Sequence, residues 1–76
     1  MTQFKNIEQA KAENRPNSYI YISIKDGIAY IDFGKTNIYS TDNYSEAAEV
    51  ADEACEMFDT ELSPKSIIIC SWIYRL

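Results

Sequence analysis

The sequence predicts a single α+β domain over residues 1–76: a three-stranded antiparallel meander plus a fourth strand, with one acidic amphipathic helix packed on the sheet and a short N-terminal helix. Three observations carry this. Asp26-Gly27 separates two runs rich in β-branched and aromatic residues. The stretch after Asn43 repeats its apolar residues at helical spacing, and the last dozen residues form an almost continuous apolar run.

Residues 3–13 are good helix formers, with Phe4, Ile7 and Ala10 on one stripe and Thr2 placed to cap them. This short helix is expected to dock Phe4 and Ile7 on a sheet edge or on the face the longer helix leaves bare. Arg15-Pro16-Asn17-Ser18 reads as a loop, because the residue before proline avoids the α region.

The stretch from Tyr19 to Phe33 specifies its own pairing. An Asp-Gly pair supplies the two positive φ angles of a type I′ turn, whose twist matches that of the strands it joins. With Lys25 opposite Ile28, the pairs Ile24–Ala29, Ile22–Ile31 and Ile20–Phe33 fall on one apolar face. The other face receives Ser23–Tyr30, Tyr21–Asp32 and Tyr19–Gly34. A slip of one residue would mix the two sets, so turn chemistry and hydrophobic pattern select the same register.

Gly34-Lys35 turns the chain into a third strand at Thr36 to Thr41. There Ile38 and Ser40 alternate with Asn37, Tyr39 and Thr41, which suits an edge strand with one partly wet face. Asn43 with Glu46 three residues on has the spacing of a capping box and opens a helix from Tyr44 to Phe58. At about 100° per residue, Tyr44, Ala47, Ala48, Ala51, Ala54, Cys55 and Phe58 share one arc. Glu46, Glu49, Asp52, Glu53, Glu56 and Asp59 occupy the opposite one, and Val50 and Met57 fall at the border, half exposed beside the acidic stripe. The alanines let the helix axis approach the sheet closely. From Lys65 to Leu76, alternation with both faces apolar predicts a last strand covered on both sides. A right-handed crossover then places it parallel to the first strand, in the order 4-1-2-3.

Composition narrows function by exclusion. Histidine is absent, which removes the commonest general base and the commonest metal ligand together, and no phosphate-cradling glycine loop occurs. No catalytic constellation, metal site or cofactor is expected, so the chain reads as a binding protein and not an enzyme. Cys55 and Cys70 are too few for a disulfide framework and are expected to be shielded free thiols. No run approaches the ~20 apolar residues of a membrane span, and the N-terminus lacks a signal-peptide core, so a soluble, cytoplasmic protein with no membrane partner is expected.

Charge is concentrated on one element. Between Asp42 and Glu61 the chain carries eight carboxylates and no Lys or Arg, while the remainder carries seven basic residues against four carboxylates. Direct nucleic-acid binding is therefore disfavoured, because phosphate contacts need the opposite sign. Like charges three and four residues apart on a helix cost about 0.2–0.5 kcal/mol per pair. A stripe that accepts this cost without interleaved lysine suits a basic protein surface, with Glu46, Glu49, Asp52, Glu53, Glu56 and Asp59 as contacts and Val50 and Met57 as an apolar centre. A secondary surface is the tyrosine-rich hairpin face, Tyr19, Tyr21 and Tyr30 with Tyr39 alongside, because tyrosine offers large contact area at low entropy cost. Lys25 is the one positive charge expected on that face.

In length, in its β-meander, acidic amphipathic helix and closing strand over residues 19–76, and in charge, the chain resembles the small phage-encoded inhibitors of bacterial defence, anti-CRISPR proteins in particular. The resemblance implies a monomer acting in the host cell cytoplasm. It also implies electrostatic mimicry of nucleic acid, directed at a DNA- or RNA-binding surface of a defence effector complex. The competing expectation is a small assembly protein that forms homodimers or larger oligomers through the tyrosine face or the last strand.

Overall fold

A computed structural model describes residues 2–75. In chain order the elements are α1 (Ile7–Glu13), β1 (Ile20–Lys25), β2 (Ile28–Phe33), β3 (Thr36–Thr41), α2 (Tyr44–Met57) and α3 (Pro64–Ile73). The strands form one antiparallel sheet in the order β1-β2-β3.

The hairpin has the register its sequence demands: Lys25 pairs Ile28, Ile22 pairs Ile31 and Ile20 pairs Phe33. Asp26 and Gly27 take φ of 52° and 80°, the two positive angles a type I′ turn requires. Beyond the first strand, the Gly34 amide donates to the Tyr19 carbonyl at 3.0 Å and prolongs the ladder. Strand β3 pairs with β2 through a bulge: Ile31 faces Tyr39 and Asp32 faces Asn37, leaving Ile38 as the extra residue. The Asn37 side-chain amide patches this irregularity by donating to the carbonyls of Ile31 and Tyr39, both at 3.1 Å.

Helix α2 begins as its sequence predicts, with the Asn43 carboxamide accepting from the Glu46 amide at 3.1 Å. The reciprocal half of the capping box is supplied by Thr41 instead of Glu46: its hydroxyl accepts from the Asn43 amide at 3.1 Å. At the other end Asp59 enters the left-handed region at φ 51°, and the amides of Asp59 and Thr60 return to the carbonyls of Glu56 and Cys55. This is a Schellman closure with aspartate where glycine is usual. The buried arc, Ala47, Ala48, Ala51, Ala54 and Phe58, packs on Ile20, Ile22, Ala29, Ile31, Phe33 and Ile38. Phe33 and Phe58 stack at 4.3 Å and 15°. Val50 of α2, Cys70 and Ile73 of α3 and Ala10 of α1 also belong to the core.

Two expectations at the chain ends are corrected. The N-terminal helix starts at Ile7 and not at residue 3, so Thr2 does not cap it. Asn6, at φ 57°, precedes the helix, and its side chain donates to the Asn37 carbonyl while the Lys5 amide donates to the Ile38 carbonyl. Residues 5 and 6 thereby cover part of the β3 edge, and Phe4 meets Tyr39 edge to face at 6.1 Å.

The expected fourth strand from Lys65 to Leu76 is the helix α3, with Leu76 outside the described residues. Ser63 caps it by accepting from the Ser66 amide at 3.2 Å, and Pro64 occupies the first turn, where its missing N–H is not needed. Four-residue spacing puts Ser66 and Cys70 on the buried side with Ile73, a periodicity of 3.6 that a strand could not satisfy. The chain does return alongside β1, but only through one parallel bridge between Ile20 and Leu62. The Ile20 amide donates to Glu61 and its carbonyl accepts from Ser63, each at 2.9 Å. No helix among the described residues is long and apolar enough to cross a membrane.

Candidate functional site

Helix α2 lies on one face of the sheet, and its outward arc carries the acidic stripe. Glu49, Asp52, Glu53 and Glu56 are exposed, and no basic residue occurs in the helix. Asp59 is exposed just past its end, in the left-handed closing turn.

Glu46 does not belong with them. It is half-buried, and its carboxylate accepts from the Tyr39 and Thr41 hydroxyls, so it ties α2 to β3. Val50 departs further: at 4% exposure it belongs to the core, whereas Met57 is 44% exposed. The expected apolar centre of Val50 and Met57 is therefore not formed.

Charge around the stripe raises the proton affinity of its neighbours. The Tyr39 hydroxyl is held above its ordinary value by its hydrogen bond to Glu46, then by burial and by the Glu46 and Glu53 charges. Tyr74 is raised by burial, then by Asp52, to which its hydroxyl donates at 3.4 Å. Burial pushes the Cys55 thiol up to about 11, with Asp52 adding to it, and raises Cys70 in the same way. Both cysteines are free thiols. Low-pKa nucleophile chemistry is the opposite of what these surroundings favour.

The second expected surface lies on the sheet face turned away from α2. Tyr19 and Tyr21 are exposed there and meet edge to face at 6.5 Å, while Tyr30 is half-buried. Tyr39 is not alongside, since the bulge turns it toward α2. Nor is Lys25 the one cation: a groove of about 600 Å³ brings Arg15 and Lys35 to the two tyrosines, together with Glu13. A second groove, about 750 Å³, runs between Tyr19, Tyr21 and Ser23 and the α3 residues Lys65, Ser66 and Ile69. Among the described residues no three His, Cys, Asp or Glu side chains are placed to hold a metal ion.

Sequence reasoning missed the outward face of α3, where Ile67, Ile68, Trp72 and Tyr74 are all exposed. The signal was present. A segment apolar on every side is a helix with an uncovered face as readily as a strand covered on both, and Ser63-Pro64 is a helix start. No protein-family model, no curated protein and no solved structure matches this chain.

Proposed function

We propose that this chain is a stoichiometric binding protein, with no catalytic step, that occupies a basic surface of a partner protein through the outward carboxylates of α2. One observation carries the reading: Glu49, Asp52, Glu53 and Glu56 are exposed on a helix whose opposite arc is locked into the core, with no cation interleaved. The helix backbone fixes their spacing, so only the side chains are ordered on binding. From Glu49 to Asp59 the helix and its closing turn span about 15 Å at ~1.5 Å per residue, comparable with a run of several nucleic-acid phosphates. Complementary potentials of this kind speed encounter and select the partner's charge.

The partner class that fits is a nucleic-acid-binding surface, including that of a bacterial defence effector complex in the cytoplasm, as an anti-CRISPR-like inhibitor would use. The meander and the acidic helix support that resemblance. The closing strand no longer does, because that segment is α3. The test is capture from a bacterial lysate at low salt by the chain and by its Glu49→Lys/Glu53→Lys/Glu56→Lys variant. The expected result is a partner that duplex DNA or added salt displaces and that the variant fails to hold. A partner retained equally by the variant rejects the proposal.

A further inference from the structure

We infer that the outward face of α3 is a homodimer interface, in which two copies pair about a two-fold axis running along the helix. Ile67, Ile68, Trp72 and Tyr74 are 52%, 69%, 56% and 63% exposed, on a helix whose other side is already in the core. At ~150–250 Å² for an aromatic side chain and somewhat less for isoleucine, their exposed parts come to roughly 500 Å². Contiguous apolar patches beyond a few hundred Å² mark interaction sites on soluble chains. Pairing two such patches removes roughly 1,000 Å², the lower bound for a specific interface, so the dimer is weak and concentration-dependent.

Charge selects a second copy as the occupant. On one flank of the patch stands α2, whose Asp52 receives the Tyr74 hydroxyl. On the other flank Lys65 lines the groove shared with Tyr19 and Tyr21, on the opposite face of the sheet. Asp52 stands on the first flank level with Tyr74, and Lys65 stands on the other in the first turn of α3, so the two flanks are marked by opposite charges. A two-fold axis along α3 sets the carboxylate flank of each copy against the Lys65 flank of its partner. An axis crossing α3 would set carboxylates against carboxylates. An anionic membrane or a nucleic acid would meet the α2 charges beside the patch and be repelled. This inference does not rest on the α2 binding reading, although Asp52 stands at the edge of both surfaces.

Trp72 is the sole tryptophan and lies inside the patch, so it reports the event without any substitution. Sedimentation and Trp72 emission are followed together from about 1 µM to about 1 mM, the range in which a weak interface dissociates. The expected mass rises from 8.7 kDa toward twice that value as the emission moves to shorter wavelength, and added sodium chloride weakens the association. Replacing Ile67 and Ile68 by serine should weaken it at least about tenfold with the circular dichroism unchanged. A mass that stays at 8.7 kDa overturns the inference, including the case in which the monomer floats with phosphatidylcholine vesicles instead. A dimer that leaves Trp72 emission unmoved, or that salt strengthens, overturns it as well.

Discussion

The Ile22 amide donates to the Ser66 hydroxyl at 2.8 Å, so a helix side chain, and not a neighbouring strand, closes this part of the β1 edge. Ser66 is 1% exposed and shares a 2.7 Å hydroxyl bond with Ser63, the residue that caps α3. One side chain therefore joins the start of a helix to the edge of the sheet. Ser66→Ala leaves the Ile22 N–H unpaired in the interior, at a cost of about 1–3 kcal/mol. Ser71→Ala, on the exposed side of the same helix, should stay within about 0.5 kcal/mol. Urea midpoints separate the two, and equal losses would show that the hydroxyl bond has no special weight.

The two hairpin glycines differ in what surrounds them. Gly27, at φ 80°, has no atom within 4 Å of where a Cβ would sit, so Gly27→Ala meets only the backbone strain of positive φ, about 1 kcal/mol. At Gly34, φ 60°, a Cβ would overlap the Asn14 carboxamide. That carboxamide donates to the Ala10 carbonyl and the Thr36 hydroxyl and accepts from the Lys35 amide, so it cannot move without breaking all three bonds. Gly34→Ala should therefore lower the unfolding free energy by clearly more than Gly27→Ala. In an Asn14→Ala background Gly34→Ala should cost clearly less than it does in the parent, which would trace the excess to the overlap.

The hairpin was legible because two independent signals, turn chemistry and alternation, gave one register, and α2 was legible because its cap and its apolar arc agreed. The last segment carried conflicting signals. The isoleucines from Ile67 to Ile69 favour a strand locally, while Ser63-Pro64 and the spacing of Ser66, Cys70 and Ile73 favour a helix. Tertiary contact decided, since only a helix puts Ile73 on the same buried side as Cys70 and the Ser66 that reaches Ile22. The site was legible in composition but not in detail. Nothing in the sequence reveals that the bulge at Ile38 turns Tyr39 toward Glu46 and so withdraws that carboxylate from the stripe.

That withdrawal separates Glu46 from its neighbours energetically. Glu46→Ala should cost about 1 kcal/mol, because it removes the acceptor of the Tyr39 and Thr41 hydroxyls. Glu53→Ala should be neutral or slightly stabilising, since it removes repulsion with Glu49 and Glu56 without breaking a packed contact. Thermal midpoints at low salt test the contrast. In the Glu46→Gln variant the Tyr39 hydroxyl should ionise at lower pH than in the parent, as the carboxylate that raises it is gone. A stability loss at Glu53 as large as at Glu46 would contradict the geometry.

The thiols give the chain an alkaline limit. In the folded protein Cys55 holds its proton up to about 11, against an ordinary value of 9.0, because burial and the Asp52 charge oppose the thiolate. Cys70 is shifted in the same direction by the same two causes. Between the two values the unfolded chain has already lost a proton that the folded chain keeps, so unfolding releases protons and becomes easier as pH rises. The contribution is fully present below the ordinary thiol value and is lost as pH climbs through about 11. Tyr39 and Tyr74, both raised, add to the decline at higher pH. Denaturation midpoints should therefore be flat between neutrality and the ordinary thiol value and fall beyond it, and Cys55→Ala should flatten the first part of the fall. At neutral pH both cysteines should react slowly with a thiol reagent until denaturant is added, Cys70 more slowly than the half-buried Cys55. Rapid labelling of Cys70 in the native protein would mean that α3 leaves the core far more often than its buried Ser66, Cys70 and Ile73 allow.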